Sequence, residues 1–160
     1  MKTLLLSALT FATLAHTATA APKFGQQESA SGIKHSFLIA GPITVLVGED
    51  GQVKWRTKGR ARDAFVLKNG NVLVSAGNVA KEITRKGKLV WSYKLAAENK
   101  ELGTAVRLDN GNTLVVERGV KPRLLEITKA GKIAVEVPLK PETENGHMQT
   151  RMARKLPNGN

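Results

Sequence analysis

Apolar residues in this chain come in short runs separated by polar, glycine-bearing pairs, the pattern of brief strands joined by hairpin turns. Residues 64–67 form one such run. Asn69-Gly70 follows as a tight turn whose residues tolerate positive φ, and residues 72–76 return antiparallel. Residues 79–84 predict a third strand, Lys86-Gly87 a turn, and residues 88–95 a fourth. The next stretch follows the same plan, with strands over 105–108, 113–117, 123–128 and 132–137 and turns at Asn110-Gly111 and Ala130-Gly131. Each set predicts a four-stranded antiparallel meander.

The plan is a repeat. Leu-x-Asn-Gly-Asn begins at Leu67, Leu108 and Leu156, intervals of 41 and 48 residues, which is the range of propeller or solenoid units. Glu82-Ile83-Thr84 and Glu126-Ile127-Thr128 stand at the same place in it, and only the hairpin around residues 119–122 changes length, by three residues. An earlier copy is visible too: residues 41–55 align without a gap to 77–91, and 35–40 to 71–76. That copy has strands two, three and four but no strand one. A closed propeller often completes its first blade with a strand from the other end of the chain, so that no sheet edge stays open. The expected fold is therefore all-β, a β-propeller of four-stranded antiparallel blades over residues 34–160. It is expected as an incomplete N-terminal fragment of about three blades, the first lacking its inner strand and the fourth truncated. The rival reading, a complete small protein of three sheets, leaves apolar faces and two edges uncovered.

The N-terminal residues add a destination. Lys2, the apolar stretch 4–14 and Ala18-Thr19-Ala20 form the pattern that a signal peptidase reads. Residues 1–20 are thus expected to be a signal peptide, Ala21 the mature N-terminus and residues 21–33 a flexible leader. An uncleaved anchor is the alternative, but the stretch is short of the roughly 20 residues a span takes. The expectation is a periplasmic or secreted protein with no membrane span after cleavage. There is no cysteine, which removes disulfides, thiol catalysis, thiolate zinc sites and iron–sulfur clusters. The formal charge of +12 becomes +11 once Lys2 is removed, and such a field attracts anionic ligands and polyanions, although a soluble basic surface accounts for it equally well. Nucleic acid is a poor partner for an exported chain with seven aromatic residues on which to stack bases.

The segments Asp50-Gly51-Gln52-Val53-Lys54-Trp55 and Lys86-Gly87-Lys88-Leu89-Val90-Trp91 resemble the Gly-Lys-x-x-Trp ending of the pyrroloquinoline-quinone-type propeller repeat. With the Leu-x-Asn-Gly-Asn hairpins, they are similar to quinoprotein-like propellers and to bacterial arylsulfotransferase-type propellers over residues 35–160. The resemblance implies that Trp55 and Trp91 dock neighbouring blades, while Val135 replaces tryptophan in the third copy. It does not carry the quinone with it. No acidic cluster with asparagine is placed to hold the accompanying metal, so neither metal nor cofactor is expected.

Candidate chemistry falls in the loops between one meander and the next, which lengthen from Trp55–Leu67 to Trp91–Leu108 to Val135–Leu156. Lys58, Arg60 and Arg62 lie in or beside the first, Arg118 and Lys121 in the long hairpin, and Arg151, Arg154 and Lys155 before the last strand. Arg60, Arg62, Arg118, Arg151 and Arg154 are the expected ligand-binding residues, since a guanidinium grips sulfate, phosphate or carboxylate through two parallel hydrogen bonds. His147, in the longest loop and four residues before Arg151, is the candidate catalytic residue, as base, nucleophile or metal ligand. A loop histidine bonded to backbone is the alternative. Residues 147–160 also look like the histidine-containing lead into a hairpin in arylsulfotransferase-type propellers. Three functions stay open: a binding or scaffold module for an anionic small molecule, a polysaccharide or another protein; an arylsulfotransferase-like transferase; and a quinone- or metal-dependent oxidoreductase.

Overall fold

Both Asn-Gly hairpins close with the same bonds. The Leu67 amide donates to Asn71 O and the Gly70 amide to Leu67 O, each at 2.8 Å; Leu108, Asn112 and Gly111 repeat the pair at 2.9 Å. This is a turn closed by a glycine in the left-handed region, with φ of +80° at Gly70 and +84° at Gly111. The glycine alone takes the positive φ, and among the described residues no residue other than glycine has one. Asn69 and Asn110 instead accept the amides of Asn71 and Asn112 through Oδ1, both at 3.0 Å, which fixes the turn through the side chain.

The structure, a computed structural model, describes residues 27–158; the expected signal peptide and the last two residues of the third Leu-x-Asn-Gly-Asn copy lie outside them. The first sheet has three strands, β1 (Phe37–Ile39), β2 (Thr44–Val47) and β3 (Val53–Thr57). The second has β4 (Asp63–Val66), β5 (Val72–Ala76), β6 (Val79–Ile83) and β7 (Leu89–Lys94). The third has β8 (Asn99–Arg107), β9 (Thr113–Gly119), β10 (Arg123–Ile127) and β11 (Ile133–Pro138). Strands lie in chain order and every pairing is antiparallel. The chain is all-β as expected, in three sheets, and among the described residues these sheets do not close on themselves.

The repeat holds down to single residues. Leu46 faces Trp55, Glu82 faces Trp91 and Glu126 faces Val135 across equivalent strand pairs, and each pairing slips by one residue immediately afterwards. A bulge at a fixed place raises local twist, so the outer strand of each sheet turns in the same sense.

Sheets stack in chain order. Leu73, Ala80 and Trp91 of the second sheet pack against Leu102, Ala105, Val115, Leu125 and Ile127 of the third. Trp55 of the first packs with Val72 and Val74 of the second. Trp91 also donates its indole N–H to Thr128 O at 3.2 Å, so this tryptophan joins two sheets. The backbone repeats the joint: Ala61 N donates to Gly41 O (2.8 Å) and Leu102 N to Gly77 O (2.6 Å), at aligned positions. Val135, in the tryptophan position of the third copy, is 48% exposed.

Asparagines of the hairpins do more than turn the chain. Asn69 and Asn71 donate to Glu82 Oε1 at 3.1 and 2.6 Å, while Arg107 from the next sheet takes Oε2 at 2.7 Å. Asn110, Asn112 and Lys155 surround Glu126 in the same way, at 2.9, 2.7 and 3.1 Å. In the first sheet the aligned residue is Leu46, and its neighbour across the joint aligns as Val66; here the repeat uses apolar side chains.

One stretch departs from expectation. The connection from Trp91 to Leu108 is mostly strand, since β8 starts at Asn99 and only residues 95–98 link it to β7. The steady lengthening of these loops is therefore absent, and Arg118 lies inside β9 rather than in a hairpin loop.

Candidate anion-binding site

The extension of β8 builds the site. Residues 99–101 pair with the end of β9, with Glu101 opposite Arg118 in a bulged register. Facing positions on adjacent antiparallel strands present their side chains on one side. Arg118 Nη2 lies 2.7 Å from Glu101 Oε1. Arg62, just before β4, reaches Glu101 Oε2, and His147 Nδ1 is 3.3 Å from Oε1. Two arginines and a histidine thus converge on one carboxylate.

The segment after β11 is fastened over these residues. Gln149, buried, donates to Gly119 O and Thr143 O, both at 3.1 Å, and accepts from Gly119 N at 2.8 Å. Asn145 caps a single 3-10 turn, Gly146–Met148, by accepting the His147 amide. The His147 carbonyl accepts from Arg118 Nη1 at 2.9 Å. Further on, Arg151 O accepts the Thr104 amide at 2.9 Å. Gly103 makes that approach possible, because a Cβ there would sit 2.3 Å from Arg151 O.

Arg118 is the unusual member. It is fully buried, and its Nε and Nη2 make no hydrogen bond: the contact to Glu101 has ion-pair distance but not hydrogen-bonding direction. Burial, then the charges of Arg62 and Arg151, push its pKa down to about 10. Arg62 is lowered as well, by burial first and then by Arg151 and Arg60. Burial and like charge both disfavour the charged guanidinium at this position. Across Arg62, Arg118, Arg151 and Glu101 the formal balance is two positive charges.

Of the residues expected to bind ligand, Arg62 and Arg118 meet here on Glu101, and Arg151 and Arg60 are near enough for their charges to be felt. Arg118 is a correction to the exposed rim, because it is fully buried. Arg154 stands apart: its guanidinium lies 5.8 Å from the Phe65 ring and Nη1 bonds Ala153 O at 2.9 Å. His147 bonds a carboxylate through its ring rather than the backbone. Glu101 was absent from the candidates. The available signal was in the alignment: Ala40-Gly41 and Ala76-Gly77 end the second strand in two copies, and Glu117-Arg118 replaces that pair in the third.

Glu117 supports the site from behind. Its Oε1 accepts from Tyr93 Oη (2.7 Å) and Ala96 N (2.9 Å), and its Oε2 from Asn99 Nδ2 (2.8 Å) and Arg123 Nε (2.7 Å). Burial alone would raise its pKa; these bonds outweigh that and hold it below the ordinary carboxylate value. The network pins residues 95–99, where β8 begins. Beside it a cleft of about 600 Å³ opens between Lys100 and Val120 on one side and Pro141 and Glu144 on the other.

Among the described residues no group of three or more His, Asp or Glu is arranged to hold a metal, and no helix is long and apolar enough to cross a membrane. No family model matches the chain. No curated protein matches it either. Among solved structures it is similar to a protein of unknown function from Bacteroides caccae, at 25% identity and a TM-score of 0.69, over 79% of this chain and 48% of that one. The chain spans about half the length of that neighbour.

Proposed function

We propose that the three sheets are successive blades of an exported β-propeller that serves as a binding or scaffold module for an anionic ligand, such as a sulfated or carboxylated polysaccharide. The blade reading is supported by the recurring bulge and by the inter-sheet bonds from Ala61 and Leu102, which repeat one geometry between consecutive sheets. The observation that carries the ligand class is Arg118: a buried guanidinium with two nitrogens, Nε and Nη2, that make no hydrogen bond, in a cluster where positive charge exceeds negative. Arg62 and Arg151, less buried than Arg118, supply further positive charge. Neutralising Arg60, Arg62, Arg151 and Arg154 together should release the protein from a heparin-like resin at clearly lower salt. Elution at the same salt as the unmodified protein removes the proposal.

A second reading is an arylsulfotransferase-like transferase, favoured by the contact of His147 Nδ1 with Glu101. A carboxylate on Nδ1 orients the ring and leaves Nε2 as the reactive nitrogen. It requires turnover of an aryl sulfate ester that disappears in His147→Ala; equal turnover in the variant excludes it.

A further inference from the structure

Glu101 contacts Arg118 and is the more exposed of the two. Side-chain exposure falls from 60% at His147 to 28% at Arg62, 13% at Glu101 and 0% at Arg118. A ligand entering from solvent meets the carboxylate before it meets the buried guanidinium. Nε and Nη2 of an arginine share one edge, spaced to receive two oxygens of a sulfate, phosphate or carboxylate side by side. On Arg118 that edge is the one without a hydrogen bond, because Nη1 is spent on the His147 carbonyl. Glu101 approaches the edge at Nη2 and neutralises part of its charge without satisfying its donors.

We infer that Glu101 is an internal stand-in for the ligand's anionic group: its carboxylate gathers Arg62, Arg118 and His147 in the free protein, and an incoming oxyanion takes over those donors as Glu101 swings aside. The inference rests on the anion-site reading above and adds what sets the affinity, namely competition with a carboxylate of the chain itself. The repeat supports it. Glu101 aligns with Arg60 of the second sheet, so a carboxylate here is no general requirement of the fold. Nor does the sheet need its side chain, since the strand is held by backbone pairing on either side of the bulge. A purely architectural Glu101 predicts the opposite sign: its removal would loosen the arginines and weaken anion binding.

Inorganic sulfate titrated calorimetrically into the full chain, at ionic strength balanced with chloride, separates the two. Glu101→Gln removes the competing charge and keeps the shape, and should tighten sulfate binding about tenfold relative to the unmodified protein. Arg118→Met should abolish binding in both backgrounds. If the unmodified protein binds sulfate and Glu101→Gln binds it equally or more weakly, the stand-in is overturned while the anion site survives. If neither binds, both fall together. Should Glu101→Gln fail to give the folded circular-dichroism spectrum, Glu101→Asp, which keeps the charge but shortens its reach, must also bind sulfate more tightly; unchanged affinity there overturns the inference.

Discussion

Strands β5 and β9 hold the same place in consecutive sheets and end differently. β5 runs out through Ala76-Gly77, where Ala76 packs against the cluster around Trp55 and Gly77 offers its carbonyl to the Leu102 amide. β9 runs out through Glu117-Arg118, both fully buried, and these two charges organise everything around them. Glu117 collects four donors and fixes the start of β8; Arg118 holds the His147 turn and faces Glu101. A joint that needs no side chain in one copy has become a charged node in the next. Buried charge is retained only when paired, and removing one partner is far more costly than replacing the whole set. The third sheet thus concentrates buried charge at a place where the second carries none.

The largest effect should come from the better-satisfied half of that node. Glu117→Ala leaves Arg123, Tyr93, Asn99 and the Ala96 amide without their acceptor, and should lower unfolding free energy in urea by about 3–5 kcal/mol. A loss below about 1 kcal/mol would mean that β9 ends as plainly as β5 does. Next comes acid. Glu82, Glu117 and Glu126 are all held below the ordinary 4.5, so the unfolded chain takes up protons first as pH falls. Their contribution is complete above that value and is lost as pH drops through the lowered folded values. The urea midpoint should therefore decline on acidification below about pH 5, and more shallowly in Glu117→Ala. A slope equal to that of the unmodified protein would show that Glu117 gains nothing from its donors. The smallest effect belongs to Arg118→Met. Two of its nitrogens make no hydrogen bond and Glu101 keeps Arg62 and His147, so the loss of stability should be smaller than that of Glu117→Ala while sulfate binding disappears. A large destabilisation would make Arg118 a structural pillar.

A second contrast runs along the joints between sheets. Glu82 with Arg107, and Glu126 with Lys155, are ionic where Leu46 and Val66 are apolar. Arg107 also lies 5.4 Å from the Trp91 ring, adding a cation–aromatic contact to the same joint. The two solutions coexist in one chain, so the repeat does not require charge at this joint.

Much of the fold was legible because hairpin chemistry is local. Asn-Gly and Lys-Gly turns, the Glu-Ile-Thr tripeptide and the tryptophan positions all stand where the periodic pattern puts them. The start of β8 was hidden for a physical reason: Asn99-Lys100-Glu101 reads as solvated loop, and it is strand only because the polar end of β9 pairs with it and buries Asn99. The same polarity hid Glu101. Arginines could be gathered onto one face from loop assignments, but an acidic residue among them becomes meaningful only when the register sets it opposite Arg118. Whether an arginine lines a rim or lies buried beneath it depends on strand length, which a two-residue change in reading reverses.

The most direct test is anomalous diffraction from a crystal of the protein soaked in selenate. The expected map has a selenium peak with its oxygens in hydrogen-bonding range of both Arg118 Nε and Nη2, and Glu101 displaced from Arg118. A map with no selenium at that edge, and with Glu101 still against Arg62 and Arg118, would contradict it.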